Sequence, residues 1–311
     1  MQDNHFIDVD YSFNKLPNKK IVITGSESFI GKTLISQLQT MDYEIIGFDS
    51  VKPNNPTYQF HQIDIRNPEI NKLIPLDTDI LIHLAALSRD PDCKNKAVEC
   101  FDVNVMGTLN LIKAADIQNV KQFIFASSEW VYDKFIGSKE KNEDSEINIS
   151  NHNSEYALSK LITESNLRQQ HNNGFCSVTI LRFGIIYGPR KSNWSAVESI
   201  LSQVKNQKKV SVGSLKTGRR FVHVSDIARG IIHSFGLEGF NIINLTGNQI
   251  ITLKDIIDKS QTILDKKIEV TEINSNQISI RNPSNFKAKK MIDWEPKISL
   301  KTGLESLLPY V

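Results

Sequence analysis

The apolar run at residues 20–24 leads directly into TGSESFIG (24–31), and apolar side chains then recur at Ile30, Leu34, Ile35 and Leu38. A short, wholly apolar run reads as a strand buried on both faces, and a spacing of three to four reads as a helix packed along one side. A strand, a glycine-bearing turn and a helix in that order open a parallel sheet, because parallel neighbours need a helical crossover. The alternation continues, with further strands predicted at 43–49, 58–63, 79–84, 122–126 and 177–181. Helices are predicted at about 97–115 and 154–170. The expectation is an α/β fold with a doubly wound parallel sheet covered on both faces.

Past Arg182 the rhythm changes. Residues 183–220 are mixed and basic, and 221–247 return to strand and helix signals that rejoin the first domain. A helix at 253–264, a β-like stretch at 268–273 and a closing Trp294-Glu-Pro296 follow. The organisation read from this is an extension at 1–19, a domain at 20–182 and a smaller C-terminal lobe at 183–311. The lobe is expected to cap the ends of the sheet strands.

Composition excludes several classes. With 37 basic and 35 acidic residues there is no electrostatic case for nucleic acid or an anionic membrane as partner. No segment approaches the ~20 apolar residues that span a bilayer. Cys93, Cys100 and Cys176 show no paired spacing, so neither a disulfide framework nor a metal site is expected. The N-terminal stretch carries Asp3, Asp8 and Asp10 without an apolar run, and so does not read as a signal peptide. A cytoplasmic setting is the expectation.

The turn at 24–31 suits a dinucleotide. Glycines let backbone amides approach a pyrophosphate at the positive end of a helix. Gly25 and Gly31 hold the outer positions of a three-glycine pattern whose middle place is Ser28, a residue that adds a Cβ where such a loop is tight. Asp49 ends the second strand near the ~20-residue offset expected of a carboxylate that accepts from ribose hydroxyls. It would repel a 2′-phosphate, so NAD is favoured over NADP. Asp64 and Ile65 fall where an adenine edge would lie.

Downstream, Tyr156 and Lys160 are four apart and so share one face of the predicted helix. A lysine there is expected to lower the phenol pKa and ready it as a base, with the hydroxyl of Ser128 holding a substrate oxygen. His83, at a strand end, reads as a packed core residue. The polar stretch 133–153 lies between Ser128 and Tyr156 and is long for a loop. It is either plain surface or a cover for substrate.

Taken together these stretches resemble the extended short-chain dehydrogenase/reductases, specifically the NAD-dependent nucleotide-sugar epimerase/dehydratase group. The resemblance runs from Lys20 to about Leu307. It is carried by TGSESFIG (24–31), Asp49, Asp64-Ile65, HLAA (83–86), NVMGTLNL (104–111) and ASSEWVY (126–132). It continues through YALSK (156–160), LRFGIIYGPR (181–190), RRFVHVSD (219–226) and Trp294-Glu-Pro296. The resemblance implies a Rossmann-type NAD domain with a substrate-binding lobe. It also implies backbone contacts to NAD from Phe29 and Ile30, and a cofactor lining of Leu84, Ala85, Ala86 and Asn104. It makes Tyr156 the acid/base, has Lys160 bind the nicotinamide ribose, and sets Arg219 on the substrate diphosphate. A homodimer is implied as well.

Departures narrow the chemistry. Dehydratases of the group follow the serine or threonine with an acidic residue and then a glutamate; here those places hold Glu129 and Trp130. Glu129, placed among the substrate-binding candidates, could substitute for that glutamate as acid/base only if the local backbone shifted, and otherwise reads as a polar strand-end residue. An asparagine often present after Leu-Arg is Ile185. The leading expectation is an NAD-dependent epimerase of a nucleotide-diphosphate sugar, working through a transient keto intermediate. The alternatives are a dehydrogenase or 4-keto reductase of a nucleotide sugar or other small hydroxy substrate, a dehydratase, and a non-catalytic NAD-binding protein.

Overall fold

The computed structural model describes residues 19–311, so the N-terminal extension lies outside it except for Lys19. The first six strands are β1 (Lys19–Thr24), β2 (Tyr43–Asp49), β3 (Gln59–Gln62), β4 (Ile80–His83), β5 (Gln122–Ser128) and β6 (Ser177–Phe183). Four short strands follow, β7 (Ile186–Tyr187), β8 (Lys209–Val212), β9 (Gly218–Arg219) and β10 (Val222–His223), and then β11 (Phe240–Leu245). The last two are β12 (Ile251–Thr252) and β13 (Glu269–Glu272). Seven strands form one parallel sheet in the order β11-β6-β5-β4-β1-β2-β3. The chain winds outward from β1 to β3 and then returns to the other side of β1 with β4. Ligands of such sheets bind at that reversal, beyond the carboxyl ends of the strands.

The pleat divides the core. Ile21 and Ile23 face one side, with Leu34 and Leu38 of α1 (Phe29–Leu38). Val22 faces the other, with Leu111 and Leu167. Successive strand residues point to opposite faces, so an unbroken apolar strand serves both layers. Helices α2 (Asp90–Cys93), α3 (Ala97–Phe101), α4 (Gly107–Ile117) and α5 (Glu155–Asn172) follow α1. The helix expected at 97–115 is broken by a π turn at Asp102–Met106. There the Asn104 carbonyl accepts from the Thr108 hydroxyl at 2.7 Å.

The lobe has its own apolar cluster. It includes Leu201, Val210, Phe221, Ile256 and Leu304. Its helices are α6 (Ala196–Asn206), α8 (Leu253–Leu264) and α10 (Leu300–Leu307). Between them in sequence, α7 (Val224–His233) packs on α1, and α9 (Phe286–Ile292) on β11. Asp226 fixes the C-terminal segment. Its carboxylate pairs with Arg229 at 2.7 Å and accepts from the amides of Lys297 and Ile298, each at 3.0 Å. Trp294 donates its indole N–H to the Asp226 carbonyl at 2.9 Å.

Candidate active site

A cleft of about 1190 Å³ opens where the sheet order reverses. Its floor is the turn after β1. Gly25 has φ +72°, and a Cβ there would lie 2.7 Å from the Ala85 amide nitrogen. A Cβ on Gly31 would lie 2.2 Å from the Gly25 carbonyl. Both places therefore need glycine. Ser28 does not. Its backbone is extended, and its hydroxyl caps α1 by accepting from the Gly31 amide at 3.0 Å. The serine that broke the glycine pattern thus serves as the N-cap.

With Gly31 satisfied, Phe29 and Ile30 carry the remaining orphan amides of the first turn, and both residues line the cleft. Asp49 accepts from the Glu27 amide on one oxygen and the Val51 amide on the other, both at 2.9 Å. Each oxygen keeps a lone pair, and the bond to Glu27 fixes the carboxylate against the turn. An amide pair at a helix start and a carboxylate at the next strand end fit a pyrophosphate and an adenosine ribose. Asp64, Ile65, Leu84, Ala85 and Ala86 line the same cleft. Asp64 is bidentate with Arg66, at 3.0 and 2.7 Å, and that guanidinium holds its pKa down.

Sequence reasoning passed over Glu27, the second residue after Gly25. It lines the cleft and accepts from the Tyr58 hydroxyl at 2.7 Å. This adds a second carboxylate beside Asp49, and no motif position marks it.

The reacting end of the cleft gathers Ser128, Tyr156 and Lys160. Strand β5 runs on to Ser128, and α5 begins one residue before Tyr156, capped by Ser154. Tyr156 is buried, which pushes its pKa up to about 12, and a hydrogen bond with Ser128 works against the rise. Lys160 donates to the Ala126 carbonyl at 2.8 Å and lies 5.9 Å from the Tyr156 ring centroid. Burial pulls Lys160 down to about 8. Ser128 is thus a neighbour that lowers the phenol pKa, and the Lys160 ammonium is placed on the same helix face. His83 is buried between the Thr24 and Thr108 hydroxyls at 2.7 and 2.8 Å, and burial drops its pKa to about 3. It is a neutral core residue.

Three side chains assigned to the site do not line the cleft. Asn104 sits behind the wall, where its side chain brackets the backbone of Leu87 at 2.8 and 3.0 Å and donates to Ser159 at 3.0 Å. It positions the wall and is not part of it. Glu129 is fully buried and turned from the cleft toward Arg281, whose Nε lies 3.2 Å from Oε1. Burial raises its pKa. Its carboxylate is engaged by Arg281 and does not line the cleft. Arg219 donates to the carbonyls of Gly218 and Ser279 at 2.7 and 2.6 Å, on the lobe side.

Arg281 was missed by sequence reasoning. It donates to the Glu129 and Tyr132 carbonyls at 2.6 and 2.9 Å, and its guanidinium lies 5.3 Å from the Trp130 ring centroid. Trp130 in turn packs near Tyr156 and lines the cleft. The loop at 133–153 contributes nothing to the cleft wall. Its Lys141 and Glu140 are bound instead to Asn282 and Arg220. Its Glu143 accepts from the Asn244 amide of β11 at 2.7 Å, so the loop straps the lobe to the main sheet.

The family model of the NAD dependent epimerase/dehydratase family matches residues 21–244. A UDP-glucuronate 4-epimerase of Thermodesulfobacterium geofontis is 25% identical over 305 residues, covering 91% of this chain and 93% of that one. UDP-glucuronic acid decarboxylase 1 of Arabidopsis thaliana is 26% identical over 304 residues, covering 93% of this chain and 69% of that one. Among solved structures, the UDP-N-acetylglucosamine 4-epimerase of Methanobrevibacter ruminantium in complex with UDP-N-acetylmuramic acid superposes with a TM-score of 0.84. It is 21% identical and covers 95% of this chain and 100% of its own. That likeness establishes the fold.

Proposed function

The chain belongs to the NAD dependent epimerase/dehydratase family, and from that premise we propose that it epimerises a nucleotide-diphosphate sugar through a transient ketone. The observation that carries the reading is the meeting of Ser128, Tyr156 and Lys160 at one end of the cofactor cleft, with Trp130 in the elimination position and Glu129 turned away. The residues present can move one proton and hold one oxygen. The elimination position holds Trp130, whose indole cannot remove a second proton, and this disfavours dehydration.

The sugar hydroxyl is held by Ser128 while Tyr156 takes its proton. NAD held in the cleft would supply a hydride acceptor and donor for the carbinol carbon. Tyr156 would take that proton as the phenolate and, once protonated, would give it back to the oxygen as the carbon is reduced on its other face; burial favours its protonated form. Lys160 anchors the phenol's helix to β5 through Ala126 and is the proposed contact to the nicotinamide ribose. Arg219, with Arg281 beside it, is proposed for the substrate diphosphate. Arg219 stands on the lobe side, bonded to the Gly218 and Ser279 carbonyls, and Arg281 beside it carries a second positive charge.

The exposed Val98, Met106 and Ile162 on neighbouring helices support the proposed homodimer. Free thiols at Cys93, Cys100 and Cys176 suit the proposed cytoplasmic setting. Among the described residues no helix is long and apolar enough to cross a membrane.

The test is to denature the purified protein, quantify the dinucleotide released, and then assay UDP-sugars for interconversion of epimers. Stoichiometric NAD with epimer exchange and no net NADH supports the reading. Turnover that requires added NAD and accumulates NADH would make it a dehydrogenase instead.

A further inference from the structure

The segment joining β7 to α6 forms the lobe-side rim of the cleft, and one contact ties it to the nucleotide turn. The Arg190 guanidinium lies 4.4 Å from the centroid of the Phe29 ring. Gly188 presses on the same ring, since a Cβ there would lie 3.1 Å from its tip. Phe29 is the first residue of α1, so this ring belongs to a residue that carries one of the orphan amides of the first turn.

Arg190 is held in that place from behind. Its Nε donates to Glu198 at 2.8 Å and its Nη2 to the Ile186 carbonyl at 3.3 Å. Glu198 is wholly buried and also accepts from the amides of Gly188 and Ser195, at 3.2 and 2.9 Å, and from the Ser195 hydroxyl. Four donors thus share the carboxylate charge, and Nη1 of Arg190 takes part in none of these bonds. The other cation at this part of the rim, Lys32, is 63% exposed and faces Glu27, whereas Arg190 is 18% exposed. A desolvated, pre-oriented guanidinium interacts with an anion far more strongly than a hydrated ammonium does.

We propose that Arg190 closes the cleft over the cofactor pyrophosphate, with Phe29 as its platform and Glu198 as its tether, and so keeps NAD in place through the catalytic cycle. The inference rests on the cofactor reading and is independent of which sugar is bound. A rim that held the coenzyme in this way would suit a reaction that needs the same coenzyme twice.

The test is the rate at which bound NAD exchanges with isotopically labelled NAD, read by mass spectrometry with no sugar present. Arg190→Ala is expected to speed release about 10- to 100-fold, the worth of one charge-assisted hydrogen bond. Arg190→Lys is expected to recover part of that, and Lys32→Ala to stay within about two-fold of the parent, as for an exposed ion pair. Added salt should speed release from the parent and leave Arg190→Ala unmoved, a dependence that a purely structural residue would not produce. If Arg190→Ala fails to fold because Glu198 is left charged and buried, the pair R190Q/E198Q removes both charges and carries the same expectation. Release from a folded Arg190 variant at the parental rate overturns the proposal, as does a parent protein that holds no NAD. Tight retention without sugar turnover would support the clasp and sink the epimerase reading.

Discussion

Behind the reacting residues, Arg182 of β6 and Glu164 of α5 form a buried ion pair at 2.6 Å, with side chains 4% and 5% exposed. Ser127 donates to the same carboxylate at 2.5 Å, so Glu164 ties α5 to both β5 and β6. It lies four residues beyond Lys160 on that helix, and the tie fixes where Tyr156 stands relative to Ser128. Removing one partner strands the other charge in the interior, at a cost of about 3–5 kcal/mol. With ~2.1 cal/mol/K of unfolding entropy per residue, a chain of 311 residues loses about 1.5 K of Tm for each kcal/mol. Arg182→Met is therefore expected to lower Tm by about 5–8 K. Replacing both, as E164L/R182M, removes both desolvation penalties and should return to within about 2 kcal/mol of the parent. Urea and thermal unfolding of the four proteins of this cycle, all stripped of NAD, would measure the coupling. Single variants that lose less than about 1 kcal/mol, or a double variant that loses the sum of the two, would refute the reasoning.

Other expectations follow from the same geometry. Tyr156→Phe should lower kcat by about 10²- to 10⁴-fold while leaving NAD content unchanged, as read by turnover and by dinucleotide release. Ser128→Ala removes the bond that lowers the phenol pKa. The limb of the pH–kcat/KM profile that belongs to Tyr156 should therefore move to higher pH. Lys160 has a folded pKa of about 8, below its ordinary value. Between the two the unfolded chain binds a proton that the folded protein lacks, so stability rises with pH over roughly 8 to 10. Lys160→Met should flatten that rise and stabilise the protein at pH 7 by about 2 kcal/mol, from about 3 of relieved burial less about 1 for the lost bond to Ala126. Equal denaturation midpoints at pH 7 would contradict it. Gly25→Ala places a Cβ against the Ala85 amide at φ +72°. It should cost about 2–4 kcal/mol and yield protein purified without dinucleotide.

The sheet was legible because its signals are local, and so were Ser128, Tyr156 and Lys160, which the structure brings to one cleft. Apolar runs of five or six residues separated by amphipathic helices permit little but a parallel sheet, and the strand-ending Ser128 and the Tyr156–Lys160 pair sit where the pattern itself changes. Gly25 and Gly31 were legible for a similar reason, since a backbone that must turn sharply restricts the residue type at that point. Asp49 was legible by its offset from that turn.

What stayed hidden depends on side chains meeting across long stretches of chain. Arg281 reaches Glu129 over 152 positions, and the partner of a buried carboxylate has no local mark in sequence. That contact turned Glu129 away from the cleft. The π turn that aims Asn104 at Leu87 adds a residue to one helical turn without altering the apolar spacing by which a helix is recognised. The strap at 133–153 has ends that flank the site, and its partners, Asn282, Arg220 and Asn244, lie about 80 to 140 positions away in sequence. Sequence by itself determined the sheet, the turn and the residues able to carry the chemistry, because each is set by neighbours within a few positions. Only the tertiary structure decided which charges are paired, which walls the cleft has and where Arg190 stands, because burial and charge pairing belong to the packed chain as a whole.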